Sequence, residues 1–294
     1  MIDNKDLRVK HKLFLVMISF DNDESNPIPI FIKDRISLQI VDQNKTNTLI
    51  SCKFPWTIED RIQERLDSYK DINKIVFVFL VSDCDTRFNI PSNVRFFRTS
   101  INKTEQQHNE YVLPYIWEGL NERFNPLPKT DKPMVGFCGV NSTFRQKTIS
   151  LLEQNENIDT QFIIRSEFWG GRPHDKDLIN HFQENIRRNH FTVCNRGAGN
   201  FSIRFYQVLS AGRIPIVLDT DIVLPFDDEI DWDNTIILAK TEEDLIKKLF
   251  YVWNNNDIVS MQNRCYEIYK NYFSDTKYLD RVLSENDSIL FTDM

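Results

Sequence analysis

The chain has no long hydrophobic run, no paired cysteines and no surplus of positive charge, and each lack closes off a class of function. The apolar stretch inside Met1–Phe20 follows a basic patch and stops at Asp21. A bilayer-spanning helix needs about 20 apolar residues, and a secretory leader ends in small residues that this stretch lacks. The stretch reads instead as a first β-strand. A cytoplasmic protein with no transmembrane segment is expected, with peripheral membrane association left open. Cys52, Cys84, Cys138, Cys194 and Cys265 are odd in number, widely spaced and free of any CxxC or zinc-ligand pattern. Free, mostly buried thiols in a reducing compartment are expected. The formal net charge of −7 argues against a general nucleic-acid binder, because a phosphate backbone would be repelled. A local basic pocket for a small anion is still allowed.

What is present is globular. The 294 residues, 41% hydrophobic and 27% charged, suffice for two domains with real cores and no disulfide staples. Lys12–Ser19 reads as a strand, Ser37–Val41 as a weaker one, and Ile58–Tyr69 as a helix with Ile58, Ile62 and Leu66 on one face. Ile75–Val81 is a continuous β-branched and aromatic run, the pattern of a strand covered on both faces of a parallel sheet. Val94–Phe97 reads as a short edge strand. From about Ser100 to Pro133 the periodicity stops and prolines recur, which marks a connection.

The alternation then restarts. Strands are expected at Met134–Cys138, Gln161–Ile164, Phe191–Cys194, Ile214–Leu218 and Thr235–Leu238. Helices are expected at Thr143–Glu153, Asp175–Asn189, Phe201–Ser210, Glu242–Trp253, Val259–Tyr272 and Lys277–Leu283. The domains are drawn at residues 1–125, including the connection, and 126–294, with the last helices packing back on the first domain. The expected class is α/β, two Rossmann-like domains facing a cleft.

The informative stretch is Phe191–Phe226. A short apolar strand runs into Asn195-Arg196-Gly197-Ala198-Gly199-Asn200 and then directly into a helix. Two glycines allow a tight turn and close backbone approach by a ligand. A helix N-terminus offers unpaired N–H groups and partial positive charge, to which Arg196 and Arg204 can add charge-assisted hydrogen bonds. Phe201, Phe205, Val208 and Leu209 form the core-facing set, while Asn200, Arg204, Gln207 and Ala211 share another face. These parts make a diphosphate cradle. Pro215 is unusual for a central strand.

The segment resembles the exostosin family of glycosyltransferases (family 47). The matching residues are Arg196-Gly197, Gly199, Ser202, Arg204, Tyr206, Leu209, Ala211-Gly212, Ile214-Pro215, Leu224-Pro225-Phe226 and Asp231-Trp232. Val135–Gly139 with Arg145 adds a weaker similarity, so the resemblance covers about residues 134–250. It implies a GT-B-like architecture and inverting transfer of a sugar from a nucleoside-diphosphate donor, expected to be UDP-linked, to a hydroxyl of a glycan acceptor. In that scheme residues 126–294 bind the donor and residues 1–125 face the acceptor. Arg196 and Arg204 neutralise the leaving diphosphate. Backbone groups of Gly197–Asn200, with Ser202, contact phosphates, and Arg145 adds a cation from the neighbouring strand–helix loop. Gln207 stands where the family usually has a glutamate for the ribose hydroxyls; an amide can hydrogen-bond a ribose, though as a weaker acceptor.

No metal is expected. The DxD triplets at Asp21, Asp83, Asp219 and Asp231 fall where aspartate commonly serves turns and caps. Inverting transfer needs a general base on the cleft wall opposite the donor. Asp21, Asp23, His108 and Glu110 are the candidates, and the sequence does not choose among them. Phe168-Trp169-Gly170-Gly171-Arg172 reads either as an aromatic platform for a sugar or as a buried loop anchor. Two alternatives to this reading of the chain stand: a non-catalytic nucleotide- or glycan-binding protein on the same fold, or a fucosyltransferase-like enzyme using a GDP-sugar.

Overall fold

The computed structural model describes residues 15–19, 48–53, 60–71, 73, 75–115, 119–120, 124–274, 277–278 and 281. They fall into two compact units. The first holds the described residues up to Ile101, those from Glu105 to Tyr115, and Tyr278 and Arg281. The second holds Asn102–Thr104 and the described residues from Gly119 to Lys277.

The first unit is a five-stranded sheet of β1 (Leu15–Ser19), β2 (Thr48–Lys53), β3 (Ile75–Leu80), β4 (Val94–Arg98) and β5 (Glu110–Val112), in that spatial order. Every neighbouring pair is parallel. Alternation puts Val76, Val78 and Leu80 on one face of β3, where they join Phe96 and Val94 and meet Ile62, Leu66 and Tyr69 from α1 (Asp60–Asp67) and the turn after it. The other face carries Phe77 and Phe79, whose rings stack on Phe97, which stacks in turn on Tyr111. Both faces of β3 are therefore apolar, as its unbroken hydrophobic run requires.

Two sequence expectations change here, and one strand has no counterpart in the sequence reading. Val94–Arg98 is an inner strand, because β5 pairs along its outer side with Phe97 opposite Tyr111. β5 itself lies in the stretch expected to be a connection, since three residues are too few to show a period. Thr48–Lys53 mixes polar and apolar residues and carries no strand signal. The expected strand Ser37–Val41 lies outside the described residues, as does most of Lys277–Leu283.

The second unit is built from β6 (Met134–Val140), α2 (Thr143–Glu153), β7 (Asp159–Arg165), α3 (Lys176–Arg187), β8 (Phe191–Val193), α4 (Ile203–Ser210), β9 (Ile214–Leu218), β10 (Ile237–Ala239), α5 (Glu242–Asn255) and α6 (Ile258–Ile268). Its sheet order is β10-β9-β8-β6-β7, again all parallel. α2 packs with α5, α4 with α6, and α3 lies over β6. Side-chain caps start three of these helices: Asp175 accepts from Asp177 and Leu178 N–H, Thr241 from Asp244, and Asp257 from Val259 and Ser260.

Pro215 proves harmless inside β9. Ile214 N–H donates to His190 O, and Cys194 N–H to Ile216 O, so the ladder to β8 does not use residue 215. On the other side β10 begins to pair only at Ile216. The missing N–H therefore interrupts no ladder bond.

One buried arginine stitches this unit together. Arg213 donates to the carbonyls of Arg187, Ala211, Gly212 and Asn125 and to Gln262 Oε1, all within 2.8–3.2 Å. It thereby satisfies carbonyls at the C-terminal ends of α3 and α4, which have no partner inside their own helices.

Candidate functional site

The chain leaves β6 towards β7 on one side, and the later strands β8, β9 and β10 add on the other. The order thus reverses between β6 and β8. In open parallel sheets ligands bind beyond the C-terminal ends of the strands at such a reversal. The two loops that flank it are Asn141–Ser142, leading into α2, and Asn195–Ser202, leading into α4. The arginines singled out by sequence converge on this point.

Arg196 is the accessible one. Its side chain is half-buried and lies over the Phe144 ring, 4.6 Å from the centroid. Nη2 donates to Ala198 O at 3.0 Å and Nη1 to Asn200 Oδ1 at 3.3 Å. With Ser202, Phe205 and Leu218 it lines a small recess. Ser202 is the N-cap of α4 by backbone conformation, but its hydroxyl makes no capping bond. The helix therefore starts two residues later than expected, and its first N–H groups have no side-chain cap.

Asn200 is fully buried and holds the loop's shape. Its Nδ2 donates to Asn102 Oδ1 at 2.7 Å, Thr220 O at 3.0 Å and Asp221 O at 3.1 Å, while Oδ1 accepts from the Thr220 hydroxyl at 2.6 Å. Gly197 N–H turns back to Phe201 O, and Gly199 is buried. In this conformation the Asn200 side chain faces its own protein.

Arg204 and Arg145 differ from expectation. The sequence makes each a cation pointing at a ligand, but each is at least nine-tenths buried and donates to main-chain carbonyls. Arg204 donates to Cys138 O at 2.8 Å and Val193 O at 3.3 Å, with its guanidinium 4.6 Å from the Phe137 centroid. Arg145 donates to Val140 O at 2.9 Å and to Asn195 O at 3.3 Å, also over Phe137. A Cβ on Gly139 would fall 2.7 Å from Arg204 Nη2, so glycine is what lets the guanidinium lie against the strand end. The sequence could not show this, because a helical arginine reads as solvent-facing unless its carbonyl partners are known.

Neither buried arginine meets a carboxylate among the described residues. Burial, reinforced by the nearby Arg204, pulls the Arg145 pKa down to about 10. Burial also lowers Arg204. Two such cations side by side leave the reversal point positively charged even though their hydrogen bonds are used. Burial raises the nearby Cys194 thiol to about 12, so it is uncharged at neutral pH and offsets none of this.

Gln207 is half-buried on α4. Four aspartates of the DxD triplets are engaged by hydrogen bonds within the protein. Asp219 accepts from the N–H groups of Asp221 and Ile222, Asp221 from the N–H and hydroxyl of Thr104, and Asp231 from the N–H and amide of Asn234. Asp83 accepts from the Tyr115 hydroxyl at 2.7 Å. No group of three or more metal-ligating side chains occurs among the described residues.

Of the base candidates, Asp21 and Asp23 lie outside the described residues. His108 is exposed in the turn before β5. Glu110 is buried in an ion pair with Arg98 at 2.5 Å and also accepts from Gln107 N–H, so its carboxylate is committed to the first unit's core. Its sequence position beside a polar connection suggests a solvent-facing group, and the buried Arg98 is the reason it is not one.

Comparison with known proteins gives a family. The model of the exostosin GT47 domain matches residues 75–249. A probable glucuronosyltransferase of Oryza sativa subsp. japonica is 34% identical over 62 residues, covering 21% of this chain and 14% of the rice protein. Probable glucuronosyltransferase 47 A of Physcomitrium patens is 27% identical over 82 residues, 28% of this chain and 18% of the moss protein. The matched part is thus a small fraction of either relative. Among solved structures, a mutant of S. aureus TarM in complex with fondaparinux, alpha-GlcNAc-glycerol and UDP aligns with a TM-score of 0.46 at 10% identity, over 81% of this chain and 54% of that one. The pneumococcal O-GlcNAc transferase GtfA in complex with UDP and GlcNAc aligns with a TM-score of 0.42 at 9% identity, over 84% and 58%.

Proposed function

The chain belongs to the exostosin GT47 family, and we propose that it is an inverting glycosyltransferase moving a sugar from a UDP-linked donor to a hydroxyl of a glycan acceptor. The observation that carries this reading is the position of Arg196, an accessible guanidinium at the reversal point of a parallel sheet, beside the uncapped start of α4.

In glycosyl transfer the departing nucleoside diphosphate gains negative charge as the glycosidic bond breaks. Fixed positive groups aimed at that charge lower the barrier because they need not reorganise. Arg196 meets the diphosphate directly in this proposal, and the first N–H groups of α4 supply further donors. Arg145 and Arg204 act from beneath, as fixed charges rather than as contacts. Ser202 offers its hydroxyl, and Gln207 hydrogen-bonds the ribose. The charge neutralisation is assigned to these groups and not to a divalent metal.

The test is thermal unfolding with UDP, GDP, CMP and ADP, for wild type and Arg196→Ala. A ligand that binds only the folded state raises the melting temperature by mass action. Selective stabilisation by UDP, lost in the variant, is the expected result. Preference for GDP would favour a fucosyltransferase-like donor, and equal stabilisation of both proteins would remove Arg196 from the site.

A further inference from the structure

The sheet edge that carries Arg196 also carries an aromatic pair with no part in the donor cradle. β7 is parallel to β6 and β8, so the turn that follows it leaves the same edge two strands away. At the usual spacing of about 4.8 Å between strands, that is about 10 Å along the edge. The turn is Phe168–Gly171. Phe168 is 66% exposed and Trp169 46% exposed. The aromatics are therefore not a buried loop anchor.

The turn is held in one shape. Trp169, Gly170 and Gly171 all have positive φ, at 57°, 65° and 74°. For a tryptophan the left-handed conformation is unfavourable, because Cβ crowds the following carbonyl oxygen. A Cβ on Gly170 would press on Leu178, and one on Gly171 would overlap the Glu167 carboxylate. Gly170 N–H donates to Glu167 O at 3.0 Å, and Arg172 pairs with Asp175 at 2.8 Å. The fold thus spends backbone strain to present two aromatic rings outward, beside a carboxylate.

We propose that Phe168 and Trp169 form a subsite for a sugar ring of the glycan acceptor, with Glu167 accepting hydrogen bonds from its hydroxyls. A pyranose has an apolar C–H face that an aromatic ring covers and a rim of hydroxyls that needs acceptors. The flanking charges alternate, with Arg165, Glu167, Arg172, Asp175, Lys176 and Asp177. They make no basic field of the kind an anionic bilayer would attract. The subsite's place in the reaction rests on the glycosyltransferase reading, but saccharide binding can be measured without it.

The experiment uses the full chain with cellotetraose, chitotetraose, xylotetraose and maltotetraose as probes. Binding is read by saturation-transfer NMR for wild type, F168S and F168S/W169S. At least one probe is expected to bind the wild type, about tenfold more weakly to the double variant, while stabilisation by UDP stays unchanged. Phe168→Ser alone keeps the test valid if the double variant does not fold, and is expected to weaken binding in the same direction. Binding of none of the probes, or equal binding to all three proteins, overturns the proposal. So does concentration-dependent dimerisation of the wild type that the variants lose, which would make the patch an interface between copies. Loss of UDP stabilisation in the wild type would instead count against the donor reading and leave the saccharide result standing.

Discussion

Arg196 Nη1 donates to Asn200 Oδ1 at 3.3 Å across the loop that links β8 to α4. The accessible cation is thereby tied to a fully buried amide that also grips Asn102, Thr220 and Asp221. The charge that meets the donor in the proposed mechanism is positioned by a hydrogen-bond network reaching three other points of the chain.

Asn200→Ala is therefore expected to act twice. It leaves the Thr220 hydroxyl and the Thr220 carbonyl without their Asn200 partner, lowering the unfolding free energy by about 1–3 kcal/mol. It also removes an anchor of Arg196, so stabilisation by UDP shrinks in the protein that remains folded. Urea unfolding with and without UDP separates the two effects.

The arginines divide by role, and lysine substitutions expose the division. Arg204→Lys keeps the charge but cannot reach both Cys138 O and Val193 O, and loses about 1–3 kcal/mol of stability. Arg196→Lys, half-exposed, is expected to change stability by no more than about 0.5 kcal/mol. Urea midpoints for the pair check this; equal losses would contradict the burial contrast.

Glu110→Gln removes one half of a buried ion pair and strands Arg98, an effect of about 3–5 kcal/mol. The expected phenotype is lower thermal stability. A variant that melts like wild type but has lost turnover would restore Glu110 as a base candidate.

His190 sets a pH dependence. Nδ1 accepts from Met134 N–H at 3.3 Å and Nε2 donates to Pro128 O at 2.9 Å, which requires the neutral ring. Burial holds its pKa below the ordinary 6.5, and Arg213 lowers it further. Below pH 6.5 the unfolded chain takes up a proton that the folded chain refuses, so stability falls as the pH drops towards the folded pKa. It is fully present above 6.5. His190→Gln is expected to start less stable and to lose less between pH 7.5 and pH 5.5 in urea titrations.

The second unit was more legible than the first because its segments obey single rules. Thr143–Glu153 and Ile214–Leu218 form as read, the first on helical spacing and the second on an apolar run bounded by Gly212 and Asp219. Glu110–Val112 is a strand only because β4 offers an edge to pair with, and that information sits outside its three residues. For the site, the loop and helix start were visible in the glycines and the strand before them. The burial of Arg145 and Arg204 was not, since what fixes it is the set of carbonyls at the ends of β6 and β8. Likewise, the exposure of Phe168 and Trp169 follows from three successive left-handed residues, one of them not glycine.

Arg213 has a consequence for how the second unit opens. Its guanidinium joins the end of α3, the end of α4, Asn125 and Gln262 in α6. Losing any one of these segments exposes donors that the others cannot absorb, so the segments are coupled in local unfolding. Amide hydrogens at the ends of α3 and α4 should therefore exchange with solvent at a common opening free energy, as one cooperative block rather than as independently fraying helix ends.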